Sequence, residues 1–255
     1  MHMGISNIFK KKPKEWILSQ KEYKDKFLTD KYYIKREAYE EYITKRLTEE
    51  FDMTYNGKAK RWYSKWDNNQ RFVVEIFRPK GTHLILCWGY NYNFIPQINN
   101  RDKLVWHRTD NAIMIHLNDS WHNHVVHTRK REWGYDSEEY YNPELCQSFQ
   151  YQIPTYTTNK RFALKYIKNV IDKNIVFMRE WLDEVKTIED AIELIEKRFL
   201  TQHSIYVHNT CYVGAFLLAK NKRISEAMEM MQKAYGSYEV PQVLVKALNK
   251  TAEME

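Results

Sequence analysis

Imidazole exchanges protons near neutral pH and ligates first-row metal ions, and five of the chain's nine histidines fall between Leu104 and Trp133. His122 and His124 stand two residues apart, so on a strand both rings leave one face while His127 leaves the other. Such a pair can share a zinc or a related ion once a third ligand converges, and His116, Asp119, His203 and His208 are further donors in the chain. The same residue types suit metal-free phosphodiester cleavage. There His122, His124 and His127 would divide acid and base work, and Arg129 would stabilise a pentavalent phosphate. The plain alternative is a set of surface or hydrogen-bonded histidines. The sequence favours it, because no HExxH pair, nucleophile elbow, Walker loop or dinucleotide fingerprint accompanies them. The acidic residues Glu138, Glu139, Glu189, Asp190 and Glu193 likewise form no recognisable acid-base pair, and the expectation is a non-enzymatic chain without cofactor or metal.

A second group of residues suits binding. Arg61, Lys65, Arg71 and Arg78 interleave with Trp62, Tyr63, Trp66 and Phe77, a mixture that offers phosphate contacts and stacking surfaces. Alternation sets Arg61, Tyr63 and Lys65 on one face and Trp62 and Trp66 on the other, which sends the tryptophans to the core. Arg61, Tyr63 and Lys65 are then either a binding face or a basic sheet edge that resists further pairing. Tyr140 and Tyr141, in a turn-rich stretch, complete the candidate binding residues. The net charge of +7 and pI near 9.0 allow a nucleic acid, an anionic membrane or an acidic protein as partner. Much of that charge sits in Lys10–Lys12, Lys14, Lys21 and Arg129–Arg131.

The elements that position these groups read in two halves. Residues 14–28 and 36–51 carry apolar residues at helical spacing; in the second, Tyr39, Tyr42, Ile43, Leu47 and Phe51 form one stripe. Strand and turn signals follow Asn56-Gly57: 60–66, a turn at Asp67-Asn68-Asn69, 71–77, and a strictly alternating stretch at 84–92. After a loop from Pro96 to Asp102, strands are expected at 103–108, 112–117 and 121–128, with Asn118-Asp119-Ser120 as a turn. Ile113, Ile115 and Leu117 would then share the buried face, with His116 opposite. Short connections make the sheet a largely antiparallel meander. From about 159 the pattern is helical, at 159–182, 187–202, 208–221, 225–235 and 241–249. Thr187 with Asp190 forms a capping box, Ser225 can cap and Gly236 can end a helix, and Pro241 suits a first turn. The fold class is therefore α+β, with a helix-plus-sheet domain over 1–133, a loop or linker over 134–158 and a helical domain over 159–255.

A chain of 255 residues with 43% hydrophobic and 15% aromatic content has ample core-forming material, and a mean hydropathy of −0.72 implies a polar surface. Cys87, Cys146 and Cys211 are dispersed and form no CxxC pair, as expected of a reducing compartment. No apolar run is long enough to span a bilayer, the N-terminus lacks the apolar segment of a secretory signal, and Gly4 is misplaced for myristoylation. The expectation is a cytoplasmic protein that does not engage membranes.

Residues 211–235 resemble a single helical pair of the tetratricopeptide type. Ala215 and Leu218 match packing positions of its first helix, and Ala227, Met231 and Ala234 match those of its second. Cys211 stands where that family prefers tryptophan, and Pro241 is displaced by about two residues from the usual proline. The resemblance implies a helical hairpin and a protein-binding role. Combined with the tyrosine and tryptophan content, the expectation is a protein-recognition module such as an inhibitor, immunity protein or adaptor. RNA or DNA binding, or a histidine-dependent nuclease, is the alternative.

Overall fold

The computed structural model describes residues 34, 36–78, 83–99, 101, 103–120, 151–154, 160–201 and 210–254, except the side chains at 38, 83, 160–163 and 198–201. Its elements are α1 (Arg36–Phe51), β1 (Thr54–Asn56), β2 (Arg61–Tyr63), β3 (Gln70–Phe77), β4 (His83–Tyr92), β5 (Pro96–Ile98), β6 (Leu104–Trp106), β7 (Leu117–Ser120) and β8 (Ile153–Pro154). Five helices follow: α2 (Lys160–Glu184), α3 (Ile188–Thr201), α4 (Thr210–Lys220), α5 (Ile224–Tyr235) and α6 (Gln242–Ala252). The fold is α+β: an antiparallel sheet in the N-terminal half, then helices. No helix among the described residues is long and apolar enough to cross a membrane.

The main sheet has the order β1-β2-β3-β4-β7, and β8 also pairs with β4. β1 and β2 register through Tyr55 opposite Trp62, and β2 and β3 through Trp62 opposite Val74. The Asp67–Gln70 turn is closed by reciprocal backbone bonds of 2.8 Å, with Asn68 and Asn69 both at positive φ. That pairing of signs belongs to the tight hairpin turns that asparagine tolerates. β5 and β6 form a separate two-stranded sheet, so part of the expected Pro96–Asp102 loop is a strand, and the simple meander is interrupted there.

The largest departure from sequence expectation lies just beyond. Residues 113–115 are outside regular strands, and β7 occupies the segment read as a turn. Ile113, Ile115 and Leu117 are buried, as expected, but so are His116, Asp119 and Ser120. Alternation fails because the amide of His116 donates to Tyr90 O at 2.8 Å and its ring serves as a second backbone anchor. Pairing with β4 then overrides the turn preference of asparagine and aspartate. Gly89 permits this approach: a Cβ there would overlap the Leu117 carbonyl oxygen and lie 2.8 Å from Asn118 Cα.

The described residues divide into two compact units, one drawn from those within 34–47, 76–86, 120 and 151–177 and the other from those within 48–75, 87–119 and 178–254. In the first, the buried face of α1 includes Tyr39, Ile43 and Leu47. Tyr42 donates its hydroxyl to the Asp172 carboxylate at 3.1 Å, and Arg46 Nε donates to it at 2.8 Å. Buried Asn174 donates to Tyr151 O at 3.1 Å and to Val170 O at 2.8 Å. In the second, Phe72, Tyr90 and Trp181 pack ring against ring, with Tyr90 and Trp181 centroids 5.0 Å apart. The Tyr90 hydroxyl donates to Val185 O at 2.9 Å.

The helical boundaries follow their local chemistry closely. Thr187 Oγ1 accepts the Asp190 amide at 3.1 Å while the Asp190 carboxylate accepts the Thr187 amide at 2.8 Å, a reciprocal cap. These bonds hold the Asp190 carboxyl below its ordinary value. Gly236 ends α5 at φ 62°, a left-handed conformation that glycine adopts without steric cost. Ser225 is not the cap of α5; Arg223 holds that position, makes no side-chain cap bond, and pairs with Glu226 at 2.7 Å instead. Pro241 likewise stands at the cap of α6 rather than inside its first turn. Helices α4 and α5 pack as a hairpin with Ala215, Leu218, Ala227 and Met231 buried and Ala234 half-buried.

Candidate recognition surface

β3 supplies a buried cation. The side chain of Arg71 is 1% exposed, yet each guanidinium nitrogen has a partner: Nε donates to Asn91 Oδ1 at 2.9 Å, Nη1 to Asp110 Oδ1 at 2.8 Å and Nη2 to Thr109 O at 3.1 Å. It also lies 4.3 Å from the Trp66 ring centroid and 5.2 Å from that of Tyr63, close enough for cation–π attraction. Burial lowers the Arg71 pKa, and the Asp110 carboxylate opposes that fall. The result is a clamp on the loop after β6.

The network continues inward. Asn91 uses its oxygen on Arg71 and turns its amide nitrogen to His116 Nδ1, 3.3 Å away. The Tyr92 amide donates to the same Nδ1 at 2.9 Å, so the ring proton of neutral His116 resides on Nε2. His107 stands edge-on to His116 with ring centroids 6.1 Å apart. Its Nδ1 donates to Ala112 O at 3.1 Å, and its Nε2 lies 3.2 Å from Gln97 Oε1. Burial lowers the His107 pKa, and Arg61 lowers it further. These contacts resemble a structural core more than a proton relay, because both histidines are committed to backbone groups.

The basic sheet residues expected to face a ligand are neutralised locally. Arg61 Nε pairs with Glu75 at 2.6 Å, and its Nη1 donates to Ile113 O. Lys65, beyond the end of β2, pairs with Asp52 at 3.1 Å. Tyr63 is half-buried, packed against the small core of Val73, Ile113 and Ile115. Trp62 is buried, as alternation implies, whereas Trp66 is half-buried against Arg71. His122, His124, His127, Arg129, Tyr140 and Tyr141 lie outside the described residues, as do His203 and His208. Among the described residues no three histidine, cysteine or acidic side chains gather to hold a metal ion. Burial raises the Cys87 and Cys211 thiols, the opposite of a poised nucleophile.

A different arrangement survives on the β5–β6 hairpin. Arg108 lays its guanidinium 4.1 Å from the Trp106 ring centroid and donates from Nε to Asn93 O at 2.6 Å, which fixes both side chains. Val105, which alternates to the other face of β6, is 39% exposed. Arg101 and Lys103 are exposed, and no carboxylate among the described residues pairs with them or with Arg108. The hairpin is anchored from α4 by the Tyr212 hydroxyl, which donates to Pro96 O at 2.7 Å.

No family model, curated protein or solved structure matches the chain. Arg101 falls in the expected Pro96–Asp102 loop and Lys103, Trp106 and Arg108 in the expected strand at 103–108, where their spacing alone does not mark a binding group. The signal that identifies them is local: Asn99 accepts the Arg101 and Lys103 amides on its side-chain oxygen, each at 3.0 Å, and so folds the segment into a hairpin turn.

Proposed function

We propose that the protein is a non-enzymatic recognition module whose partner is another protein, an activity suited to an inhibitor, immunity protein or adaptor. The observation that carries this reading is the fixed Trp106–Arg108 stack on an anchored hairpin. Tryptophan and arginine dominate the energetics of protein interfaces, and side chains already held in place lose less entropy on binding. The helical hairpin of α4 and α5 supports the same reading through its resemblance to protein-binding repeats. Arg61, Tyr63 and Lys65 contribute less to the surface, because two of them are ion-paired and the third is partly core.

Nucleic-acid binding is the competing reading, favoured by the unpaired Arg101, Lys103 and Arg108 around Trp106. Co-purification from the native cell, with and without nuclease, separates the two. A protein partner retained after nuclease treatment is the expected result. Loss of every partner on nuclease treatment would reject protein recognition in favour of nucleic acid.

A further inference from the structure

The hydrogen-bond pattern of the β5–β6 hairpin fixes which of its backbone groups face outward. The Asn99 amide donates to Lys103 O at 3.0 Å, and the Lys103 amide turns back to the Asn99 side chain, so residue 103 faces β5. Antiparallel pairs alternate between bonded and non-bonded. Gln97 opposite Val105 is therefore the next bonded pair, while Ile98 opposite Leu104 and Pro96 opposite Trp106 are not. Proline has no amide hydrogen to give, which agrees with its place in a non-bonded pair. The amides and carbonyls of Leu104 and Trp106 consequently point away from β5, and β6 pairs with no other strand among the described residues. On the far side of the hairpin the corresponding outward carbonyl of Pro96 is already taken by Tyr212. Among the described residues β6 therefore keeps both of its outward amides, whereas β5 lacks one at Pro96 and has the Pro96 carbonyl covered.

Open edges recruit strands, and proteins usually blunt them with charge or cover them. Among the described residues the charge around this one is of a single sign, Asp102 lying outside them. Arg101, Lys103 and Arg108 flank the three residues of β6, none ion-paired among the described residues, whereas Arg61, Lys65 and Arg71 of the main sheet region each have a carboxylate. Cations along an edge repel a second copy of the same edge but attract a strand of opposite charge. Val105 and Trp106 add apolar area to opposite faces of that edge.

We infer that β6 is a docking edge for an extended acidic segment of a partner protein, which adds to the hairpin as a third strand through Leu104 and Trp106 and sets its carboxylates against Arg101, Lys103 and Arg108. The inference rests on the protein-recognition reading above and specifies its partner class. In this mode main-chain bonds supply affinity, and side chains on alternate positions supply selectivity.

The probe is a fluorescein-labelled peptide of alternating glutamate and valine, titrated into the full chain at low salt and followed by anisotropy. Two further peptides carry N-methyl groups, one on every glutamate amide and one on every valine amide. Residues that face an edge with their backbone alternate along a strand, so one methylated set should bind at least about tenfold more weakly while the other binds as the parent does. Lys103→Glu should weaken the parent peptide by at least about threefold. Leu104→Pro should weaken it about tenfold, because it removes an outward amide and leaves the bonds to β5 in place. The methylated peptides test the edge on the unaltered protein, so the proposal stays open to refutation if Leu104→Pro does not fold. Absence of peptide binding, or equal loss with both methylated sets, overturns strand addition. Displacement of the peptide by a single-stranded oligonucleotide that is indifferent to Leu104→Pro overturns it in favour of nucleic acid. If a partner protein survives nuclease treatment and binds Lys103→Glu and Leu104→Pro unchanged, the docking mode fails while protein recognition stands.

Discussion

Removing Arg71 tests whether the buried network acts as one unit. In Arg71→Met the aliphatic volume is largely kept, but Asn91, buried at 0% exposure, loses the donor to its oxygen. An unsatisfied buried acceptor costs about 1–3 kcal/mol. The Asp110 side chain, 58% exposed, can rehydrate, so the lost ion pair adds only about 1 kcal/mol. The expected destabilisation is about 3 kcal/mol. Asn91→Leu strands the Arg71 Nε–H in the same buried place and takes one of two donors from His116 Nδ1, for a similar cost of about 3 kcal/mol. Made together, the two substitutions remove donor and acceptor alike, so their joint cost should fall short of the sum by about 2 kcal/mol. Urea unfolding of the wild type, both single variants and the double variant near neutral pH reads this coupling directly. Additivity within about 0.5 kcal/mol would refute the shared network and reduce Arg71 to an isolated packing residue.

Gly89→Ala should cost about 3 kcal/mol, measured by the same unfolding experiment, because its methyl group meets the β7 backbone at Leu117 and Asn118 rather than a movable side chain. Thr187→Ala should cost about 1 kcal/mol through loss of the α3 cap, with Thr187→Ser restoring most of it. The depressed Asp190 carboxyl contributes stability above its unfolded pKa of about 3.9, and that contribution disappears as pH falls through the lower folded value. Wild type should accordingly lose an acid-sensitive increment of stability that Asp190→Asn lacks. For His107, whose folded pKa lies below the unfolded value of about 6.5, stability is complete above pH 6.5 and declines as pH falls toward the folded value, because the unfolded chain takes the proton first. His107→Gln should flatten that part of the pH–stability curve, and an unchanged slope would remove His107 from the account.

The helical half was legible because its signals are local. Thr187 and Asp190 cap each other within four residues, and the apolar stripes at Ile167, Ile171 and Ile175 need no partner to define a period. Ser225 misled because a capping residue type one position inside a helix start looks the same as one at the cap. The sheet core was legible as well: Trp62, Val73 and Leu86 are buried where alternation requires. Around His116 the reading failed, and for a nonlocal reason. The imidazole is drawn inward by the Tyr92 amide and Asn91, residues more than twenty positions away, and a period of two carries no information about such partners. The candidate surface was missed on the same principle, since the composition of Arg61, Tyr63 and Lys65 advertises a basic platform but says nothing of Glu75 and Asp52 across from them.

Pairing, more than the count of charges, therefore selects the surface. A guanidinium already held by a carboxylate must break that contact before it can serve a ligand, so each exchange returns little net free energy. Arg61, Lys65 and Arg71 are in this position, and Arg71 is enclosed as well. Arg101 and Lys103 have no such contact to break among the described residues, and Arg108 is oriented by Trp106 and Asn93 without a carboxylate partner among them. The two groups are nevertheless connected. Arg71 holds Thr109 and Asp110, immediately after Arg108, so a charge buried at a stability gain that is small at best has a specific geometric consequence for the residues that follow β6. The buried cation fixes the loop directly after Arg108, while the Asn99 turn places Arg101 and Lys103 at the other end of β6.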